Sequence, residues 1–243
     1  MKKLCSLLIA MMFFGLTVDA QSDDDIIAAK LLHKCKNELE DIAKKKVAIK
    51  DICFNTDGHW LILFGDFGYS FSYVPTSLEN LLVDLNGKQT QIKQALMSGD
   101  SWLLLYDQNK YTSQDFSSAV TEVLDKCKAR NSILTGIFTG PENEILGLYG
   151  TNGFVARNCP EKQLAKINDV NKKHRKLRNA AFGNNCWVLL YGNNGFCFQD
   201  LPSDLQDFMK KSINKKLTIN LVRIFKDKWF VVYDDYKFAT NVD

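Results

Sequence analysis

The stretch that decides the fold is WVLLYGNNGF, residues 187–196. Its first five residues are apolar or aromatic and predict a buried β-strand. The following Gly-Asn-Asn-Gly predicts a tight hairpin turn, because glycine and asparagine tolerate the positive φ angles that such turns need. Phe196 then begins a short return strand. The segment is therefore predicted to be a β-hairpin.

Four more copies of this segment occur along the chain. Trp60, Trp102 and Trp229 open the strands WLILF, WLLLY and WFVVY. Trp60 and Trp102 are 42 residues apart, and so are Trp187 and Trp229. The longer interval between Trp102 and Trp187 holds one degenerate copy, ILGLY, which begins at Ile145. A fixed period of this kind is typical of repeat architectures.

Each of the first four hairpins is followed by an amphipathic helix and then by a further apolar strand. In the first copy, Leu78, Leu82 and Leu85 recur at helical spacing just after Pro75, a residue favoured at the start of a helix. A strand at 91–97 then leads into the next tryptophan segment. The sequence thus predicts an α/β repeat protein in which residues 21–243 form one domain of five tandem αββ units.

Two arrangements of these units are open. A helix predicted at 27–42 precedes the first strands, and the fifth hairpin is followed by no helix. A closed five-unit ring, resembling an α/β propeller, would bury both terminal faces. An open α/β solenoid would need polar capping units. Neither terminal unit has a polar cap, which favours the ring.

Residues 1–20 have the features of a secretory signal peptide. Lys2 and Lys3 precede a short apolar run, and Val18–Asp19–Ala20 gives a small-residue cleavage site. We therefore expect a secreted or periplasmic protein that is soluble and outside the membrane after cleavage. The net charge of +3 over 243 residues gives no reason to expect nucleic acid as a partner.

The cysteines leave two possibilities open. An even number of them in an exported chain permits disulfide bonds, whereas buried thiols can also act as small apolar residues. The six that follow residue 20 do not recur at equivalent places in the repeat. They are Cys35, Cys53, Cys127, Cys159, Cys186 and Cys197.

Two recurring sets of residues are the candidates for structure and for binding. The first is predicted to pack each strand onto its helix, and we interpret it as the core of the repeat: Trp60, Trp102, Trp187, Trp229, Tyr106, Tyr149, Tyr191 and Tyr233. The second lies in the turns, which would cluster on one rim of a ring: Asp66, Phe67, Asn109, Asn152, Asn193, Asn194, Asp235 and Tyr236. Acids, amides and aromatic rings on one rim suit saccharide hydroxyls, although asparagine and aspartate also occur in turns for conformational reasons.

Motifs of catalysis are missing from the sequence. It contains no HExxH, CxxC, GxSxG or P-loop pattern and no dinucleotide fingerprint, so neither a metal nor a cofactor is expected. We therefore predict a non-catalytic binding or scaffold domain whose partner is a carbohydrate or another exported protein. The alternatives are a hydrolase that pairs His59 or His174 with a cysteine and a purely structural partner of another exported protein.

The pattern W-x3-Y-G-x-N-G-[YF], followed by proline and an amphipathic helix, resembles tandem repeats of predicted exported bacterial proteins. The copy from Trp187 to Leu205 carries the resemblance best, and the likeness covers about residues 27 to 238. It implies a fold type and no catalytic residues. The third copy departs from the pattern because it lacks tryptophan.

Overall fold

The computed structural model describes residues 23–243, so the predicted signal peptide lies outside the described residues. Within them, five helices each precede a three-stranded antiparallel sheet, which confirms the prediction of five tandem αββ-type units. The helices are α1 (Asp23–Lys44), α2 (Thr76–Gly87), α3 (Ser118–Lys128), α4 (Glu161–Lys172) and α5 (Ser203–Asn214).

Every sheet is a simple meander of an inner, a middle and an outer strand. The inner strands, which contact one another between units, are β1 (Ile49–Phe54), β4 (Ile92–Ser98), β7 (Leu134–Thr139), β10 (Leu177–Gly183) and β13 (Ile219–Phe225). The middle strands are β2 (Trp60–Phe64), β5 (Ser101–Tyr106), β8 (Ile145–Tyr149), β11 (Cys186–Tyr191) and β14 (Lys228–Tyr233). The outer, return strands are β3 (Gly68–Phe71), β6 (Lys110–Gln114), β9 (Gly153–Arg157), β12 (Gly195–Gln199) and β15 (Lys237–Thr240).

Proline fixes the start of three helices. Pro75, Pro160 and Pro202 stand directly before α2, α4 and α5, where their fixed φ is compatible with the first turn and their missing N–H costs nothing. The helix α3 has no proline there and begins after Ser117. Each helix then buries one apolar stripe along its length. In α2, Leu78 is the first buried leucine of that stripe.

The middle strands are buried on both faces, which explains their nearly continuous apolar sequence. In β5, the side chains of Trp102 and Leu104 pack with α2, whereas those of Leu103 and Leu105 pack with α3. Alternate residues of one strand thus serve two different hydrophobic cores. Each core consists of one helix, the sheet that follows it and the sheet of the preceding unit.

The core around α1 joins the two ends of the chain. Leu39 of α1 packs in one cluster with Trp60 of the first sheet and with Leu221 and Phe230 of the fifth. The fifth sheet therefore packs against α1 in the way that the sheet of the preceding unit packs against each of the other helices. As a result, all five helices have a sheet on either side.

Polar contacts also connect the first and fifth units. The Ile49 N–H donates to the carbonyl of Asp235 at 2.9 Å, and Lys36 Nζ donates to the carbonyl of Val242 at 2.9 Å. The contacts are those that a closed ring requires, and they favour the ring over the open solenoid. Closure itself remains a prediction. No helix in the range 23–243 has the length and apolar character needed to cross a bilayer.

Candidate functional site

The five hairpin turns between middle and outer strands lie beside the starts of the inner strands. This follows from the antiparallel pairing, in which Ile49 at the start of β1 faces Phe64 at the end of β2. We call this side of the molecule the turn end. The first residue of every turn has a positive φ, supplied by Gly65, Asp107, Gly150, Gly192 and Asp234.

The predicted rim residues divide into exposed and half-buried groups. Asp66, Asn193, Asn194 and Asp235 are exposed, whereas Phe67, Asn109, Asn152 and Tyr236 are half-buried. Two of the half-buried amides bind a neighbouring unit. Asn109 Oδ1 accepts from the Leu134 N–H at 2.7 Å, and Asn152, oriented with its nitrogen inward, donates to the Arg175 carbonyl at 3.0 Å. These two side chains hold adjacent units together, so they are less available to a ligand than the exposed four.

The four tryptophans lie inside the cores and present no ring face to the surface. Each is at most 5% exposed. Trp102 Nε1 donates to Ser77 Oγ at 3.0 Å, and Trp229 Nε1 donates to Asp204 Oδ2 at 2.9 Å. The Nε1 groups of Trp60 and Trp187 have no such partner. The tyrosines that end the middle strands, Tyr106, Tyr149, Tyr191 and Tyr233, are all half-buried.

Polar side chains bridge the inner strands of consecutive units. Every inner strand has a register irregularity before its third residue, and in three units that residue reaches the next inner strand. Asp51 accepts from the Ala95 N–H at 2.9 Å. Gln94 accepts from the Ile137 N–H at 2.8 Å and donates to its carbonyl at 2.6 Å. Asn179 accepts from the Val222 N–H in the same way, at 3.4 Å.

The joint between the fifth and first units uses an arginine instead. The third residue of β13 is Leu221, which cannot form the bridge. Arg223 Nε donates to the Ile52 carbonyl at 2.9 Å, and its Nη2 pairs with Asp51. Burial raises the pKa of Asp51, while the adjacent guanidinium and the Ala95 N–H lower it in turn. Since Asp51 is only 2% exposed in its side chain, removing Arg223 would leave a carboxylate buried without its counter-charge.

A cavity of about 400 Å³ opens among the inner-strand starts of four units. We call it the turn-end cavity, and its polar lining is mostly basic. The residues around it are Lys50, Gln91, Ile92, Lys93, Ile133, Leu134, Thr135, Lys176, Leu177 and Arg178. Three of the cations, Lys50, Lys93 and Arg178, occupy the same place, the second residue, in their inner strands. No carboxylate belongs to this lining.

The opposite end of the inner strands is mixed, with aromatic and aliphatic side chains beside Asn55, Asn184 and Lys226. A cavity of about 250 Å³ there is lined by residues of all five units, among them Phe54, Met97, Phe182, Ile224 and Phe225. The two ends therefore differ in chemical character. The turn-end cavity has four cations and no carboxylate, whereas a cavity of about 640 Å³ toward the opposite end has charges of both signs, from Asp115, Glu144 and Arg157.

The basic residues of the turn-end cavity were not among the predicted site residues. The sequence does contain a signal for them, since aligning the inner strands places two lysines and an arginine in one column. That alignment needs the exact strand starts, which the apolar pattern leaves uncertain by a residue or two. The basic sequence KKHRKLR at 172–178 contributes Lys176 and Arg178 to the cavity.

Neither candidate histidine forms a hydrogen bond with a cysteine among the described residues. His59 contacts Ser72 Oγ at 3.3 Å, and His174 is an exposed residue that follows α4 with a positive φ. The six cysteines in the described part of the chain are free thiols, and burial raises the pKa of Cys159 and of Cys197 to about 11. Within residues 23–243, no three metal-ligating side chains come together.

Comparisons with known proteins identify no family. The sequence matches no family model, and no curated protein is significantly similar to it.

Proposed function

We propose that this chain is an exported, non-catalytic binding domain whose ligand contacts the turn end. The observation that carries the proposal is the turn-end cavity, which is bounded by the inner strands of four units. A cavity of about 400 Å³ falls within the size range of small-ligand sites. It would accept one or two sugar residues or a comparable group.

The surroundings of the cavity supply the groups that a saccharide needs. The exposed amides of Asn193 and Asn194 can donate and accept hydrogen bonds. Half-buried aromatic rings at Phe67 and Tyr236 lie in two further turns of the same end. Carbohydrate is therefore the ligand class that we propose first, with a surface of another exported protein as the second possibility.

The thiols support a non-catalytic role. A cysteine nucleophile acts as the thiolate and needs a lowered pKa. Burial instead raises the pKa of every one of the six, to about 11 in Cys127. At neutral pH these side chains are protonated and weakly nucleophilic.

Titration calorimetry on residues 21–243 with a panel of neutral and acidic oligosaccharides tests the proposal. We expect binding to at least one class and a several-fold loss of affinity in N193A and Y236A. The matched control is N184A, because Asn184 is exposed and lines a cavity at the opposite end. Equal losses in all three variants, or turnover of a bound oligosaccharide, would overturn the proposal.

A further inference from the structure

The turn-end cavity holds four cations that no carboxylate neutralises. Among the described residues, none of Lys50, Lys93, Lys176 and Arg178 forms an ion pair. Cations that share one concave surface repel each other, and the low-dielectric walls strengthen this repulsion. An anion placed in the cavity would therefore be attracted by all four cations.

Two of the cations are held in place by backbone carbonyls. Lys93 Nζ donates to the carbonyls of Gln108 and Leu134, at 2.9 and 3.2 Å. Arg178 Nη2 donates to the carbonyl of Asn193 at 3.0 Å. Carbonyl oxygens orient these groups without cancelling their charge. Burial lowers the pKa of both Lys93 and Arg178, because a desolvated cation is disfavoured, and Asp107 partly offsets this effect at Lys93.

Arg178 has unused donors. Its Nε is shielded from water and has no hydrogen-bond partner, and its Nη1 has none within the described part of the chain. Guanidinium groups bind planar oxyanions through two parallel N–H donors. The neighbouring lysines are compact charges that complement such a contact.

Three of the four turn carboxylates are engaged elsewhere, and the fourth, Asp66, is exposed and does not line the cavity. Asp107, which acts on Lys93 at longer range, pairs with Lys110 at 3.0 Å. Asp234 pairs with Lys237 at 3.2 Å, and Asp235 accepts from Asn220 Nδ2 at 3.1 Å. None of these acids therefore fills the cavity.

We propose that the turn-end cavity binds an oxyanion group, a carboxylate, sulfate or phosphate, through Arg178, Lys93 and Lys50. This inference rests on the proposed binding function and narrows its ligand to an acidic one. The exposed side chain of Ile133, at 47%, gives the cavity an apolar edge. A ligand that joins an anionic group to a carbon skeleton, such as an acidic sugar, matches both features.

The test is titration calorimetry of the whole chain from residue 21 at constant ionic strength. The probes are inorganic sulfate, pyrophosphate, trigalacturonate and, as a neutral match, maltotriose. We expect at least one acidic probe to bind at least ten-fold more tightly than maltotriose. The order of affinities among the acidic probes then identifies the oxyanion that the cavity prefers. Lys50→Gln should weaken that binding by about three- to ten-fold, because one direct charge contact is lost.

Lys50 is a suitable test position because it is exposed and makes no side-chain hydrogen bond within residues 23–243, so its replacement leaves the fold intact. Lys210→Gln on α5, also exposed, changes the net charge equally and should leave the affinity unchanged.

R178Q is the stronger test, with circular dichroism to establish that it folds. Equal binding of maltotriose and trigalacturonate would overturn the oxyanion site while sparing the proposed function. Equal loss in the Lys50 and Lys210 variants would also overturn it, and an absence of binding by every probe would count against both.

Discussion

At the scale of the residue, Gln163 is a polar side chain at a position that is apolar in other units. Gln163 occupies the helix position that Leu78 and Leu205 fill in other units, and all three are 0% exposed. Both amide atoms of Gln163 are buried without a hydrogen-bond partner. A polar group buried in this way costs about 1–3 kcal/mol.

We therefore expect Gln163→Leu to raise the free energy of unfolding by about 1–3 kcal/mol, because it removes that desolvation cost. The measurement is the midpoint of guanidinium unfolding at constant slope. The reciprocal change Leu205→Gln is the matched control and should destabilise the protein by a similar amount. A less stable Gln163→Leu protein would mean that the amide has a partner, such as a buried water.

The thiols predict how stability changes with pH. Burial raises the pKa of Cys127, Cys159 and Cys197 to about 11, above the usual value near 9. A raised native pKa contributes stability that is complete below pH 9 and is lost as pH rises toward 11. For the fully buried Cys127, the loss at pH 10 is about 1 kcal/mol.

Unfolding followed between pH 7.5 and 10.5 should therefore show a falling free energy. Cys127→Ala removes one titrating thiol. The decrease in unfolding free energy with rising pH should therefore be smaller in this variant by about 1 kcal/mol, once the pH-independent cost of lost packing is subtracted. A slope unchanged by the substitution would show that Cys127 does not titrate differently in the folded state.

At the scale of the element, the hairpins show how much of the fold can be predicted from the sequence. The strands and turns were predictable because Trp102 and its counterparts recur with an aromatic residue and a turn behind them. The helices were predictable from residues such as Leu78 and Pro75. The bridges made by Asp51, Gln94 and Asn179 were not, because a polar residue inside an apolar strand is ordinarily taken to face water. Their partners lie 43 or 44 residues away, in another unit.

The same limit applies to the candidate site. The rim could be predicted because turn residues are visible in sequence, whereas the cavity beside it is made by four separate strand starts. Lys50 and Arg178 are far apart in the chain, and only the packing of the units brings them to one cavity. Local patterns carry no information about such distances.

The turns also give a prediction of their own. Gly192 opens the β11–β12 turn at φ +55°, and a β-carbon there would meet no atom within 4 Å. Gly192→Ala should therefore destabilise the protein only through backbone strain, by about 1 kcal/mol. Gly87→Ala at the end of α2 is the control, since a β-carbon there also meets nothing and its φ is not positive. Thermal unfolding should separate the two variants, and equal melting temperatures would contradict the argument.

At the scale of the whole molecule, the contact between the first and fifth units decides whether the five units form a ring. Arg223 and Asp51 are 14% and 2% exposed in their side chains. Breaking a buried ion pair by removing one partner costs about 3–5 kcal/mol. We expect Arg223→Met to lower the free energy of unfolding by about 3–5 kcal/mol. Unfolding should remain a single cooperative transition unless the units can separate.

The control for Arg223→Met is Arg157→Met, since Arg157 pairs with Glu122 at 3.2 Å in an exposed contact. That substitution should cost less than about 1 kcal/mol. Chemical denaturation of both variants measures the difference. Similar small effects would mean that the joint between the ends contributes little and that the ring is not closed in solution.

Deleting residues 21–46 is a second test of closure. It removes α1 and uncovers Leu221 and Phe230 of the fifth sheet as well as Trp60 of the first. We expect the shortened chain to lose its sharp thermal transition, because the loss of α1 opens a core that two units share. A sharp transition at the original temperature would exclude the five-unit ring.

The bridges between inner strands have a consequence for aggregation. One edge of each inner strand pairs with its middle strand, and the other edge faces the next unit without a backbone ladder. A free edge of this kind can recruit a strand from another chain, but Ala95, Ile137 and Val222 at these edges are at most 1% exposed, so only the opening of a joint between units would make them available. Asp51, Gln94 and Asn179 occupy backbone groups at three of these edges, and Arg223 occupies one at a fourth. Gly136 has no side chain to do so, and β10 receives only the contact of Arg223 Nη1 with the Ala180 carbonyl at 3.5 Å, so the joint between the third and fourth units is the one that would expose unbridged strand edges if the units opened.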